Sequence, residues 1–332
     1  MNRRRAASLA VPFAFGCVYI FWGSTYTAIK IGVQYLNPLV LGSTRFLVAG
    51  ILLLAFCRLR GVRILPAPRE LAWLTVVGLL LLGGGNISLV AGERYIDSGL
   101  AALLVAVMPL YIAIIGMLLP RGEKLTVRGW IGLGLGFAGL MALVWPSLRH
   151  QTGGWQFQLQ GCLIVLGGTF SWAVGSVLSR ELKLPVNPIV AAGWEMVAAG
   201  VASGTLGLAT GAWKASTWAR PAVEAVAYLV VFGSLVGYTA FVWLLDHVPV
   251  SKVSTYAYVN PVVAVILGAI FLGERLADTE YIGMAAVVIA VALVTSSRVR
   301  VEKTRQSTKK IQPVPVKGLK DDATLTGLPI SN

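Results

Sequence analysis

The chain has 332 residues, of which 56% are hydrophobic and 13% charged, with a mean hydropathy of +0.76. Soluble domains carry about 25% charged residues, so this composition excludes one and indicates a polytopic membrane protein whose first partner is the lipid bilayer. The net charge of +14 does not indicate nucleic acid, because the basic residues are distributed between apolar runs.

The expected fold is all-α. Uncharged runs of about 20 residues, enough to cross a bilayer at about 1.5 Å per residue, recur at 8–29, 38–57, 71–90, 98–119, 129–146, 159–178, 188–209, 225–245, 253–272 and 281–297. The first follows Arg3–Arg5 and reads as a retained span, since no small-residue cleavage site precedes a polar mature domain. It carries Tyr19, Trp22 and Tyr26 at i, i+3, i+7 with Thr25 beside them, either one wall of a binding cavity or a face packed on a neighbouring helix.

The second run contains Arg45 and the seventh Glu195, the only ionisable groups well inside predicted spans. Charges there are costly and need a reason. Arg45 could hold a substrate carboxylate while Glu195 takes an ammonium group or a proton; alternatively Arg45 snorkels outward and Glu195 is capped by polar neighbours. Asn86 follows Gly83–Gly85 in the third run, and Tyr238 lies in the eighth. Asn86 reads as cavity-facing or as hydrogen-bond glue between helices. The ninth run holds Tyr256, Asn260 and Pro261; Asn260 serves either a ligand or the carbonyl freed by the proline. Pro109 and Pro261 sit about halfway along the fourth and ninth runs and are expected to kink them beside a cavity.

Gly132, Gly136 and Gly139 form a small-residue face on the fifth run, read as helix packing or a homodimer contact. Cys17, Cys57 and Cys162 lie in apolar surroundings and read as small buried hydrophobes. The histidines, His150 and His247, sit in loops without a ligand cluster, and no phosphate-binding GxxxxGK[ST] occurs. Neither a metal, a cofactor nor an enzyme activity is expected. The tail, 298–332, is basic and proline-containing, a composition that favours disorder and attraction to anionic lipid. With the amino terminus in the cytoplasm, the inner segments collect most of the 28 Lys and Arg, so both termini are expected there.

The chain repeats itself at an offset of 150 to 152. Asn37-Pro38 aligns with Asn187-Pro188, Trp22 with Trp172, Arg45 with Glu195, Pro109 with Pro261, Glu123 with Glu274 and Gly132 with Gly283. Two repeats, 1–149 and 150–297, each with five spans, enter the membrane in opposite orientation, the plan of alternating-access carriers.

The stretches "WGSTYTAIKIG", "RFLVAGILLL" and "YVNPVVAVILGAIFLGERL", with the first-half echo of the last, resemble the EamA family of the drug/metabolite transporter superfamily, and two further stretches resemble its bacterial inner-membrane exporters. The resemblance covers residues 10 to 297. It implies ten helices around a central cavity, cytoplasmic termini and outward transport of amino acids or related small metabolites. Aromatic and other apolar amino acids are the first expectation, with Tyr19, Trp22, Thr25, Tyr26, Arg45, Asn86, Trp172, Glu195, Tyr238, Tyr256 and Asn260 as candidate cavity residues. A multidrug or quaternary-cation exporter, which would not want Arg45, and a passive facilitator are the alternatives.

Overall fold

A computed structural model describes residues 3–118, 126–149, 155–275, 277–290 and 292–293. Glu123, His150 and the tail lie outside them. Among the described residues there is no strand; the chain is a bundle of helical rods joined by short connections.

Rod α1 runs without interruption through Arg3–Cys17, Val18–Trp22 and Gly23–Gly32. It is followed by α2 (Pro38–Leu59), α3 (Pro68–Gly92), α4 (Ser98–Leu118), α5 (Val127–Arg149) and α6 (Trp155–Leu182). Then come α7 (Pro188–Ala209), α8 (Arg220–His247), α9 (Val250–Val253, Tyr256–Leu267 and Gly268–Leu272) and α10 (278–290). Of these, α2, α3, α4, α7, α8 and Gln156–Leu182 are long and apolar enough to cross a membrane, and Val127–Ala142 and Val259–Leu272 are shorter apolar helices.

The Asn-Pro pairs start helices. Asn37 and Asn187 are N-caps whose side-chain oxygens accept from Leu39 N (3.0 Å) and Ile189 N (2.9 Å). Pro38 and Pro188 then occupy the first helical position, where a missing N–H costs nothing. The same two rods end alike. Gly61 (φ 71°) and Gly211 (φ 72°) take the left-handed conformation just past α2 and α7, which closes a helix without a Cβ clash.

Rods α2 and α7 pack tightly along their length. A Cβ at Gly50 would stand 2.8 Å from Gly193 O and 2.9 Å from Val197 Cγ2, and one at Gly200 would stand 2.8 Å from Leu47 N. Ser43 Oγ donates to Gly200 O at 2.9 Å. Numbers rise along one rod as they fall along the other, so the pair is antiparallel. Each contact has a counterpart 150 residues on: Gly50 meets Val197 as Gly200 meets Leu47.

Four stretches are wound more loosely, as π-helix: Val18–Trp22 in α1, Leu79–Asn86 in α3, Leu229–Tyr238 in α8 and Gly268–Leu272 in α9. Such stretches carry i→i+5 hydrogen bonds and turn the residues beyond them about the helix axis. Rod α4 is interrupted at Ala106–Val107, just before Pro109. In α9 the interruption falls at Ser254–Thr255, while Pro261 lies inside Tyr256–Leu267.

Hydrogen bonds group the connections at two ends. At one, Asn37 N bonds Ser216 Oγ, Lys30 Nζ bonds Glu93 O and Ile96 O, and Glu274 bonds Ser98; this is the Lys30 end. At the other, Arg180 Nη1 donates to Leu245 O and Trp194 Nε1 to Ile64 O; this is the Arg180 end. The glycine face of α5 is filled within the chain, since Gly136 packs on Leu110 and Ala290, and Gly139 on Gly283 and Ala286. The three cysteines are buried among core residues and none of them forms a disulfide.

Candidate functional site

Rods α1, α2, α3, α4, α6, α8 and α9 surround a central cavity of about 50 Å³. Its lining includes Trp22, Thr25, Tyr26, Arg45, Asn86, Trp172, Tyr238, Tyr256 and Asn260. Trp22, Asn86 and Tyr238 are each the last residue of a π stretch. Loose winding therefore delivers three cavity side chains from three different rods.

Arg45 is 3% exposed and has no carboxylate partner among the described residues. Its Nε donates to Ser234 Oγ at 2.8 Å and its Nη1 to Asn86 Oδ1 at 3.3 Å. Nη2 lies where Gly233 omits a side chain: a Cβ there would be 2.6 Å away. The guanidinium has five N–H donors, and neutral oxygens engage only part of them. No Asp or Glu lines the cavity, so Arg45 gives it an uncompensated positive charge.

Aromatic rings form the apolar wall. Trp22 meets Trp172 edge-on at 5.5 Å, Tyr256 edge-on at 5.1 Å and Phe241 at 4.9 Å, separations typical of favourable ring pairs. The two indoles differ in their polar ends. Trp22 Nε1 donates to Gly233 O at 3.0 Å, whereas Trp172 Nε1 is buried without a partner. A buried donor left unpaired is costly, and this one belongs to a residue of the cavity wall. Thr25 and Thr169 instead turn their hydroxyls to Trp22 O (2.7 Å) and Val165 O (2.8 Å). Tyr256 OH donates to Met108 Sδ at 2.8 Å. With its amide nitrogen toward the backbone, the orientation its surroundings require, Asn260 donates to Tyr19 O (3.1 Å) and Tyr256 O (3.2 Å).

Two sequence candidates lie elsewhere. Tyr19 hydrogen-bonds Thr255 Oγ1 at 2.7 Å and is not in the cavity lining. The stripe expected on the first rod assumed regular α-helical spacing, whereas Tyr19 and Trp22 lie within the π stretch Val18–Trp22. Glu195 is 1% exposed and lines a second cavity of about 280 Å³ near the Arg180 end, with Arg180, Lys183 and Asp246. Tyr238 OH donates to Glu195 Oε2 at 2.7 Å, so this tyrosine stands between the two cavities. Arg45 and Glu195 thus face different spaces. The sequence reading also missed Leu82, Gly85, Leu89, Val105, Met108, Gly168, Thr169 and Gly233 of the lining. Of these, Met108 beside Pro109 and Gly85 beside Asn86 were adjacent to a recognised signal.

The sequence profile of the EamA-like transporter family matches residues 10–145 and again residues 159–296. A protein of Escherichia coli (strain K12) described as the uncharacterized inner membrane transporter YedA is 39% identical over 283 residues, 85% of this chain and 89% of its own length. The uncharacterized transporter YvbV of Bacillus subtilis (strain 168) is 27% identical over 284 residues, 83% and 88% of the two chains. A crystal structure superposes with a TM-score of 0.64 at 22% identity, over 89% of this chain and 99% of the other, which shows a shared fold. This chain belongs to the EamA-like transporter family and is a multi-pass membrane transporter.

Proposed function

We propose that this transporter is a secondary carrier exporting amino acids, aromatic and other apolar ones first, by alternating access. The observation that carries the reading is Arg45, a buried cation without a carboxylate partner in an otherwise uncharged, aromatic-walled cavity. A guanidinium with free donors suits a substrate carboxylate, and the rings of Trp22, Trp172 and Tyr256 suit an apolar side chain. The absence of any carboxylate from the lining weighs against a quaternary-cation exporter.

Ten spans in two five-helix repeats of inverted topology fit this reading. Its support is the double profile match, the antiparallel α2–α7 contacts at constant offset, and the paired caps of those rods. The basic loops then put both termini in the cytoplasm, with the Arg180 end inside and the Lys30 end outside. About 50 Å³ accommodates a carboxylate-sized group and not a whole amino acid, since ligand pockets run to roughly 300 Å³ and more. The cavity must therefore widen in another state of the cycle. The interruptions before Pro109 and Pro261, in rods that both line the cavity, are candidate flexing points. Glu195, in the roomier space at the Arg180 end, would meet an ammonium group as substrate enters.

The test is uptake of labelled phenylalanine into proteoliposomes, with and without unlabelled phenylalanine inside. Stimulated exchange, lost in Arg45→Ala, is the expected result. Uptake without stimulation would indicate a passive facilitator. No uptake above empty liposomes, with folded protein, would overturn the aromatic assignment. Uptake of tetraethylammonium that survives Arg45→Ala would favour the cation exporter.

A further inference from the structure

Above the cavity, at the Lys30 end, lies a carboxyl group that the transport reading does not use. Glu93 follows α3 directly as its C-cap, in register with Leu89 and Asn86 four and seven residues before it. It is 0% exposed, and neither of its carboxyl oxygens has a hydrogen-bond partner. Its cationic neighbour does not supply one: Lys30 Nζ donates instead to the backbone oxygens of Glu93 (2.9 Å) and Ile96 (2.6 Å) and stands 4.0 Å from Asp97 Oδ1.

The groups around Glu93 come from every element packed at this level. Tyr26 and Lys30 belong to α1, and α6 receives Gly92 against Gly161 O and Val165, with the buried Cys162 between them in sequence. Asp97 lies on the α3–α4 connection, and Glu274 beyond α9. Glu280, on α10, accepts from Ala277 N at 2.6 Å. Glu274 clasps the start of α4, accepting from Ser98 N (3.0 Å), Ser98 Oγ (2.6 Å) and Gly99 N (3.2 Å). The donors at the start of α4 are thus committed to Glu274, and Glu93 receives none.

An ionised carboxylate sealed from water without a donor is strongly unfavourable, and such a group takes a proton instead. Tyr26 and Leu89, each one helical turn before Lys30 and Glu93, line the cavity at this level. Opening of the Lys30 end would expose the buried carboxyl to water.

We propose that Glu93 is a proton-binding site whose loading closes the Lys30 end of the cavity, so that opening this end releases the proton to water. Burial pushes the Glu93 carboxyl well above the usual carboxylate range; Lys30 draws it back and Glu274 raises it further. Burial and Glu274 likewise raise Asp97, which Lys30 lowers. The closed form holds more protons than the open one, so closure is favoured at low pH and lost as pH rises through the elevated Glu93 value. The link of this switch to export rests on the carrier reading above; the switch itself does not.

The experiment is labelling of Ile96→Cys, a position 2% exposed in the closed form, by a membrane-impermeant maleimide in the reconstituted full-length chain. Rates are normalised at each pH to Lys214→Cys, an exposed position at the same end, which removes the thiol's own titration. Normalised labelling should rise with pH, by up to about tenfold per unit, and should stay low and flat when Glu93→Gln is added. Glu93→Asp, which restores a titratable group, should restore a pH step. A flat profile in the parent chain, an unchanged rise in Glu93→Gln, or a flat Glu93→Asp profile beside a rising parent would each overturn the proposal. No substrate is needed, so a failure here leaves the phenylalanine reading standing, and a failure of phenylalanine exchange leaves this test intact.

Discussion

Arg45 and Glu195 occupy matching positions on α2 and α7, 150 residues apart, yet they serve different spaces. Arg45 faces the central cavity with neutral oxygens for company; Glu195 faces the cavity at the Arg180 end and is tied to Tyr238. The rods that carry them are alike in cap, terminating glycine and mutual contacts. The caps and contacts of the two rods match, while the charged residues they carry differ in sign and in surroundings.

The largest effect should separate these two charges. Arg45→Ala removes the cation of the central lining and is expected to reduce phenylalanine exchange by about ten- to a hundredfold, since a charge-assisted pair contributes roughly 1.5–3 kcal/mol. Glu195→Gln keeps the hydrogen bond from Tyr238 and should cost far less, a few-fold in exchange rate. Equal losses in the two variants would mean that both charges hold the substrate together, against the separation of their cavities.

The frame should respond evenly where the site does not. Gly50→Ala and Gly200→Ala place a methyl group against backbone of the facing rod at related contacts. Each is expected to destabilise by about 1–3 kcal/mol, read as a lower unfolding temperature in detergent, with the two shifts of similar size. Strongly unequal shifts would show that the α2–α7 contact is not the balanced interface its residue pairs describe.

Much of this was legible in the sequence. Hydropathy placed the rods, with 188–209 matching α7 to the residue, because a lipid-facing helix must be apolar over its whole length. The Asn-Pro pairs at constant offset announced the matching helix starts of α2 and α7. The π stretches left no such trace: Val18–Trp22, Leu79–Asn86 and Leu229–Tyr238 read as ordinary apolar helix. That removed Tyr19 from the expected stripe. Glu93 escaped notice for a different reason. Hydropathy assigns it to a loop, and only the packing of Tyr26, Lys30 and α6 around it reveals that it is sealed. In α4 the break precedes Pro109 at Ala106–Val107, whereas α9 carries Pro261 within a helix, so equivalent prolines did not dictate equivalent bends.

Smaller effects should come from the two indoles. Trp22→Phe keeps a ring among Trp172, Tyr256 and Phe241 but removes the hydrogen bond to Gly233 O, at a cost of about 0.5–1.5 kcal/mol of stability. Trp172→Phe removes a donor that has no partner within the protein, so stability should hold or rise slightly. If that N–H meets the substrate carboxylate, exchange affinity falls several-fold in Trp172→Phe while the fold is undisturbed. A stability loss as large as that of Trp22→Phe, with affinity unchanged, would mean that the Trp172 N–H serves the fold.

The smallest contrast lies in the caps. Asn37 is partly buried, and its backbone N–H is also held by Ser216, whose neighbour Thr217 N bonds Tyr35 O at 2.9 Å. Asn187 is exposed. Replacing an N-cap by alanine costs about 0.5–2 kcal/mol, and water can repair the loss at an exposed helix start better than at a covered one. Asn37→Ala should therefore sit in the upper part of that range and Asn187→Ala in the lower part, measured by thermal unfolding in one detergent. The reverse order would mean that the Ser216 and Thr217 bonds, and not the asparagine side chain, hold the start of α2, leaving the cap at Asn187 to carry its helix alone.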